Sequence, residues 1–502
     1  MSEAANLDQN FVPPPPGDRL GHPRALWMLF MTEFWERFAF YGMRWALTLY
    51  IVSQFFGGDE AGQASASRTY GAYLALVYAT AVFGGYVADK VIGYQRSILL
   101  GAVVMAAGLF MVMVPHHEIF MLGLATIIVG NGLFKPNISS MVGQLYAPGD
   151  SRRDRGFTLF YMGINAGALI APILTSYLAE QVFGTPQQDN YKVVFAASGV
   201  GMLISLTWFW FGRSQLGEVG KPAPEIANPM RVVYVAIGVL VAIPLVYLLM
   251  ARAGAVMLQW LLSALFVGVG VMLVVEAIRT GKVQIHRVIA MLIIFTFNVL
   301  FWMFFEQAGS SFNFLAQHIV DRNLGGWEFP IGWFQSVNPV AIVLLAPLVA
   351  LLWGWLDKRK IEPSIPRKFG MGLIGNALGF AVLMYALSSL VKDNGMIPLW
   401  TLVLCYVLQT AGELCLSPIG LSMVTKLAPV RLIGLGMGGW FLSTAIGNNL
   451  AGLFAASVSG EGGMTVASAL TGYTMGFWIL LGGGVLLLLI APLINKLMHG
   501  VR

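Results

Sequence analysis

Charge is scarce in this 502-residue chain: Asp, Glu, Lys and Arg make up 11% of it, against roughly 25% in soluble domains. Thirty Lys+Arg and 24 Asp+Glu cannot cover the surface of the about three soluble domains that the length would otherwise suggest. Cysteine is nearly absent. Cys405 and Cys415 share one apolar run and stand ~15 Å apart along a helix, beyond the ~7 Å limit for a disulfide. A disulfide scaffold is excluded. Histidine is missing from the middle of every apolar run, because all six residues fall in loops or near run ends. There is no His-Glu-x-x-His, no phosphate-binding Gly-Lys-Ser/Thr loop and no Cys–His cluster. No metal site, no cofactor and no enzymatic activity are therefore expected.

Apolar residues are plentiful, at 57%. Glycine, with 58 residues, is well above its usual ~7% share, as in membrane helices. Fourteen runs are each long enough to span a bilayer, which takes ~20 mostly apolar residues; the first covers 27–55, the ninth 287–319 and the last 471–498. The chain reads as an all-α polytopic membrane protein. The net charge of +6 does not point to nucleic acid, because the cations sit in short loops between runs. Of 30 Lys+Arg, 22 fall on one side of the alternating topology, five on the other (Arg68, Lys192, Arg252, Arg322, Lys392) and three inside runs. The positive-inside rule then places both termini in the cytoplasm of a cell (inner or plasma) membrane. Residues 1–24, with Pro13-Pro14-Pro15-Pro16, lack the apolar core of a cleavable leader. A disordered cytoplasmic tail is expected there, with the first run serving as its own insertion signal.

An internal repeat organises the rest. Pro136-Asn-Ile-Ser-Ser140-Met141-Val142 matches Pro418-Ile-Gly-Leu-Ser422-Met423-Val424, and Phe160-Tyr161 followed by Gly167 matches Trp440-Phe441 followed by Gly447. The offsets fit a duplicated set of six helices: one bundle over 25–213, a linker and inserted helix pair over 214–284, and a second bundle over 285–502. Two related halves with a site at their interface is a recurring transporter plan. Gly434-x-Gly436-x-x-Gly439 matches a dinucleotide-binding pattern but opens an apolar helix with no strand before it, and is read as close helix packing.

Seven ionisable residues lie inside runs: Glu33, Glu36, Arg37, Arg44, Lys135, Glu306 and Glu413. Each costs about 2.5–3.5 kcal/mol at a helix centre and is a functional candidate by default. Glu33, Glu36, Arg37, Phe40, Tyr41 and Arg44 share an arc of about 140° at 100° per residue. Such a face suits a helix lining an aqueous cavity. Buried Arg–Glu pairs can also simply hold helices together, but the spread over several helices of both halves favours function. With no buried histidine, proton handling falls to glutamate. Asn165 and Asn338 are amides inside apolar runs and are expected to face the same cavity.

Several motifs resemble one family. Gly85-x-x-x-Asp89-x-x-x-Gly93-x-x-Arg96 resembles the loop signature of the major facilitator superfamily. Glu33-Phe-Trp-Glu36-Arg37-Phe-Ala-Phe40-Tyr41-Gly42 resembles the ExxER(F)xYYG signature of the proton-dependent oligopeptide transporters. Phe160-Tyr161-Met-Gly-Ile-Asn165-Ala-Gly167, Gly132-Leu-Phe-Lys135-Pro136-Asn137, Phe301-Trp302 through Glu306-Gln307, and Glu413-Leu-Cys-Leu-Ser417-Pro418 fit that family too. The resemblance spans about 25–498 and implies the major facilitator fold with fourteen transmembrane helices, the inserted pair being like that of bacterial members.

The resemblance further implies a proton-coupled symporter that imports di- and tripeptides by alternating access; a monomer is expected to be the functional unit, although oligomeric state is not written in the sequence. The substrate would sit in a central charged cavity between the bundles. Glu33, Glu36, Arg37 and Glu306 would couple proton movement. Arg37, Arg44 and Lys135 would face the peptide carboxylate; Asn165, Asn338 and Glu413 its ammonium. Tyr41, Tyr78, Trp302 and Trp440 would line side-chain pockets, with Ser417 beside them. Arg44–Glu306 and Lys135–Glu413 would be gating salt bridges. Two departures stand out: Phe40 replaces the first tyrosine of the signature, and Ala168 replaces a frequent serine. A related carrier of nitrate or a drug-like anion is the alternative; Glu413 opposite the cations disfavours a purely anionic substrate.

Overall fold

The computed structural model describes residues 12–147, 149–185 and 189–501. The first eleven residues of the expected tail and Arg502 lie outside the described residues. Apolar runs in a bilayer must satisfy every backbone group internally, which leaves the helix as the open-chain solution. The chain follows that rule. Its helices are α1 (Arg24–Arg44), α2 (Leu47–Phe55), α3 (Gln63–Val87), α4 (Tyr94–Met111), α5 (His117–Gln144), α6 (Arg153–Tyr177), α7 (Tyr191–Gly212) and α8 (Met230–Leu248). They continue with α9 (Gly254–Thr280), α10 (Lys282–Phe305), α11 (Ser311–His318), α12 (Trp333–Lys358), α13 (Ile365–Ser389), α14 (Leu399–Leu427), α15 (Ile433–Ser459) and α16 (Val466–Leu497). Strand structure among the described residues is confined to three pairings of two-residue strands.

Among the described residues, twelve stretches are long and apolar enough to cross a membrane. One of them, Met230–Thr280, contains both α8 and α9. Helix α1, with Glu33, Glu36 and Arg37 inside it, is too charged to be counted on composition. Adding it and separating the joined pair recovers the fourteen spans read from the sequence.

Two runs expected to be continuous are broken. The first turns at Trp45-Ala46 and resumes as α2. The ninth tightens into a 3₁₀ turn at Glu306–Gly309 before α11, a local distortion of the kind that often marks a functional position. The expected tail is folded from Asp18 onward. Asp18–Arg19 pairs antiparallel with His22–Pro23, His22 Nδ1 lies 2.8 Å from the Tyr146 hydroxyl, and Arg152 bonds Asp18 at 3.1 Å. Burial, reinforced by Arg155 and Arg152, holds the His22 pKa below its ordinary value.

The helices divide into two compact units: Met1–Arg44 with Thr80–Arg252, and Trp45–Ala79 with Ala253–Arg502. This division differs from the 25–213 and 285–502 halves of the repeat. Residues 45–79 join the second unit through buried polar contacts: Asn313 donates to Trp45 O at 2.7 Å, and Thr48 donates to Gly309 O at 3.0 Å. The inserted pair is divided too. Helix α8 packs on α5 in the first unit, and α9 packs on α15 and α10 in the second. There Asn449, fully buried on α15, donates to Ala255 O at 2.7 Å and to Gln259 at 2.9 Å.

The repeat reappears in how the backbones meet. A methyl group on Gly167 would lie 2.5 Å from Phe34 O, 3.0 Å from Arg37 Cβ and 3.1 Å from Phe38 N. One on Gly447 would lie 2.8 Å from Val299 O, 2.9 Å from Trp302 Cβ and 3.3 Å from Met303 N. The three neighbours correspond one to one. Two neighbours also correspond for Gly130 and Gly412: Gly101 O and Gly372 O at 2.8 and 2.5 Å, and Met105 N and Asn376 N at 2.7 and 3.0 Å. Small residues let helix backbones approach this closely in lipid. Of the glycines in the dinucleotide-like pattern, Gly436 and Gly439 are packed at 2.9 Å from Ala428 and Phe295, while Gly434 has no neighbour within 4 Å.

Gly167→Leu and Gly447→Leu should each destabilise the protein by about 1–3 kcal/mol through overpacking, whereas Gly434→Leu should leave it unchanged. Thermal unfolding of the purified variants in one detergent measures all three.

Candidate functional site

In the first unit the site is built on α1. Glu33, Glu36 and Arg37 are 1%, 0% and 2% exposed. Arg37 Nη2 donates to Glu36 Oε1 at 2.6 Å, and its Nε pairs with Glu36 Oε2. The same Nε lies 3.2 Å from Glu33 Oε1, one helical turn back. One guanidinium thus serves two carboxylates, Glu36 by hydrogen bonds and Glu33 as an ion pair, and these three side chains sum to a formal charge of −1. A buried charge is tolerated only when paired and hydrogen-bonded, and a single proton brings this group to neutrality.

The second donor to Glu36 is Asn131 of α5, fully buried, with Nδ2 at 3.3 Å from Oε1. Glu33 Oε2 and Asn131 Oδ1 are buried without a protein hydrogen bond. The two carboxylates are therefore unlike: Glu36 gathers hydrogen-bond donors from two helices, while Glu33 meets Arg37 as an ion pair. Sequence reading passed over Asn131. Its signal was available, because the register that aligns Pro136 with Pro418 also aligns Asn131 with Glu413.

Around this group, Arg37 stands over the Phe40 ring at 5.0 Å and Arg44 over the Tyr41 ring at 5.6 Å. The ring that replaces the signature tyrosine thus keeps a cation–π contact while lacking a hydroxyl. Gly167 presses α6 against Arg37. Asn165 is buried, and its amide donates to Tyr161 O at 2.9 Å, one turn back on its own helix. Tyr41, Arg44 and Lys135 are half-buried.

In the second unit the corresponding positions are neutral. Glu33 is matched by Asn298 and Arg37 by Trp302, through the shared glycine contacts. Trp302 Nε1 donates to Asn298 Oδ1 at 3.0 Å, and Asn298 donates to Ser443 at 2.8 Å. The polar link across one helical turn is kept, without charge. A separate carboxylate site lies on α12 and α14. Asn338 Nδ2 lies 2.9 Å from Glu413 Oε2 and 2.9 Å from Thr410 Oγ1. Thr410, the other residue that sequence reading missed, donates its own proton to Tyr406 O at 2.7 Å.

Glu306 is 4% exposed in the 3₁₀ turn that ends α10. Ser417 is half-buried one turn beyond Glu413, and Tyr78 and Trp302 are half-buried as well. Trp440 differs from expectation. It is 5% exposed, wedged over Gly420 between Phe295 and Phe369 at 5.9 and 6.1 Å, which is a core position. Its large apolar surface is consumed by packing inside the second unit. The two expected gating pairs each take one member from each unit, Arg44 and Lys135 from the first and Glu306 and Glu413 from the second.

Arg37→Gln should destabilise the protein by about 3–5 kcal/mol, because it removes the one side chain that ion-pairs with both buried carboxylates. Adding Glu36→Gln should recover much of the loss. Thermal unfolding in detergent at neutral pH separates the two outcomes.

The chain as a whole is similar to known transporters. The family model for the POT family matches residues 95–462. The peptide transporter YePEPT of Yersinia enterocolitica is 36% identical, covering 97% of this chain and 98% of its own. Dipeptide and tripeptide permease A of Yersinia pestis is 35% identical over 86% of this chain and 84% of its own. A crystal structure of peptide transporter POT in complex with sulfate superposes with a TM-score of 0.84 at 32% identity, covering 99% of both chains. The helical architecture is thus of the major facilitator type, and the chain belongs to the POT family of multi-pass membrane transporters.

Proposed function

We propose that this chain imports di- and tripeptides together with protons across the cell membrane, with both termini in the cytoplasm, working as a monomer without a cofactor. The observation that carries the reading is the Glu33–Arg37–Glu36 group: two buried carboxylates on one guanidinium at membrane depth. Such a group takes up and releases one proton at modest cost, since protonation replaces a net charge with neutrality. Membership of the POT family and the relatives' names support peptide as the cargo.

A peptide is zwitterionic, so it carries its two recognisable charges at fixed ends whatever its side chains. In this reading Arg37, Arg44 and Lys135 meet its carboxylate, while the Asn338–Glu413 pair meets its ammonium, with Asn165 assisting. Tyr41, Tyr78, Trp302 and Ser417 surround the side chains. The Arg44–Glu306 and Lys135–Glu413 pairs form and break as access alternates. Protonation of the α1 group and of Glu306 couples those changes to the gradient. The driving force is adequate: about 100 mV plus one pH unit supplies roughly 3.7 kcal/mol per proton, or several hundredfold accumulation.

Uptake of radiolabelled dialanine into proteoliposomes, with an inward proton gradient and a negative interior, tests the reading. Accumulation should require the gradient, and unlabelled tripeptide should compete while nitrate should not. Glu36→Gln and Glu33→Gln should each abolish uphill accumulation while leaving peptide exchange measurable. Glu413→Gln should weaken peptide binding about tenfold or more, the loss of a charge-assisted contact. Gradient-independent accumulation in the wild type would overturn proton coupling, and competition by nitrate alone would reassign the cargo.

A further inference from the structure

Two cavities in the first unit meet at Trp208 and Gln215. One, of about 490 Å³, runs along α7 and is walled by Val200, Leu203, Ile204, Thr207, Trp208 and Phe211. Its rim is strongly apolar and outward-facing: Val200 is 50% exposed and Phe211 77%. The other, of about 780 Å³, lies where α1 begins, and its walls include Arg19, Arg24 and Trp27. Both volumes fall within the ~300–1,000 Å³ typical of ligand sites. An apolar channel that opens onto a cationic basin matches one molecular shape, a fatty chain attached to an anion.

The charge in the basin is set by the two arginines. Asp18 also lines it, but its carboxylate is drawn to Arg152 at 3.1 Å. Neither Arg19 nor Arg24 has an ion pair among the described residues. The basin is built rather than incidental. Trp27 Nε1 donates to Arg19 O at 2.9 Å, Arg24 N donates to Gly17 O at 3.3 Å, and the 18–23 hairpin is closed by its strand pairing. At the hairpin tip Leu20 is 80% exposed at a φ of 55°, a backbone conformation uncommon outside glycine. At the end of α7, Arg213 lies 3.6 Å from the ring centre of Trp210, next in sequence to the cavity residue Phe211. This is the arrangement of an interfacial belt in which aromatic and basic side chains sit at headgroup depth.

We propose that this basin and groove form a binding site for an anionic phospholipid, with its phosphate between Arg19 and Arg24 and an acyl chain along α7. Under the orientation proposed above, the lipid belongs to the inner leaflet. The site does not depend on the transport reading. It uses none of the residues assigned to peptide or proton.

Native mass spectrometry of the purified full-length chain tests it, with phosphatidylglycerol and phosphatidylcholine of identical acyl chains as probes. The wild type should retain phosphatidylglycerol preferentially. Each basic residue near a membrane surface is worth about fivefold in affinity for anionic lipid, so Arg19→Gln with Arg24→Gln should weaken phosphatidylglycerol retention about thirty-fold and leave phosphatidylcholine unaffected. Thermal unfolding in phosphatidylcholine should be unchanged in that variant. Leu203→Trp, which fills the groove away from the arginines, should weaken both lipids. Equal retention of the two lipids by the wild type, or unaltered retention by the double variant, would overturn the proposal. So would displacement of phosphatidylglycerol by inorganic phosphate at millimolar concentration, which would make the basin a site for the free anion.

Discussion

One guanidinium organises the first unit. Arg37 sits where hydrocarbon would otherwise surround it, 2% exposed, and its contacts with Glu33 and Glu36 make that burial tolerable. Within α1 the group has two carboxylates in contact with one guanidinium, which is what separates it from a one-to-one ion pair. A balanced pair has nothing to gain from a proton. Here the imbalance is fixed by covalent sequence, the donors to Glu36 come from two helices, and Gly167 holds a third helix against Arg37. Proton chemistry and helix packing therefore share the same few ångströms.

The second unit shows what the same backbone lattice does without charge. Gly447 meets α10 as Gly167 meets α1, residue for residue, yet Asn298 and Trp302 stand where the first unit has Glu33 and Arg37. The hydrogen bond across one turn survives the exchange. One of its carboxylates stands instead on α14, where Glu413 occupies the position that Asn131 holds in the first unit. Duplication has conserved how backbones touch and distributed the ionisable groups unequally.

Much of this was legible beforehand. Hydrophobic runs, loop charges and the buried glutamates and arginines are properties of composition and spacing, and they carried the architecture; the family was reached through the resemblance of motifs such as Glu33–Gly42. What the sequence hid were outcomes of tertiary contact. Nothing in the run 27–55 marks the turn at Trp45-Ala46, because Trp45 is wholly buried and its carbonyl is taken by Asn313 far along the chain. The 3₁₀ turn at Glu306 is equally silent in an apolar pattern. Trp440 looked like a pocket wall until its neighbours Phe295, Phe369 and Gly420 were known. Asn131 was visible but unweighted: an amide in a long apolar helix is ordinary until a buried carboxylate is found 3.3 Å away.

The inserted helices carry a lesson for anyone trimming this protein to a minimal core. Residues 214–284 look like a cassette that could be excised, since they fall between the repeats. Yet α8 is part of one unit and α9 part of the other. Cutting the cassette out would unroof Asn449, whose amide is occupied by Ala255 and Gln259, and expose it to lipid tails that offer no acceptor. The insertion has become load-sharing tissue in both units, and its removal is a change of solvent for the helices left behind.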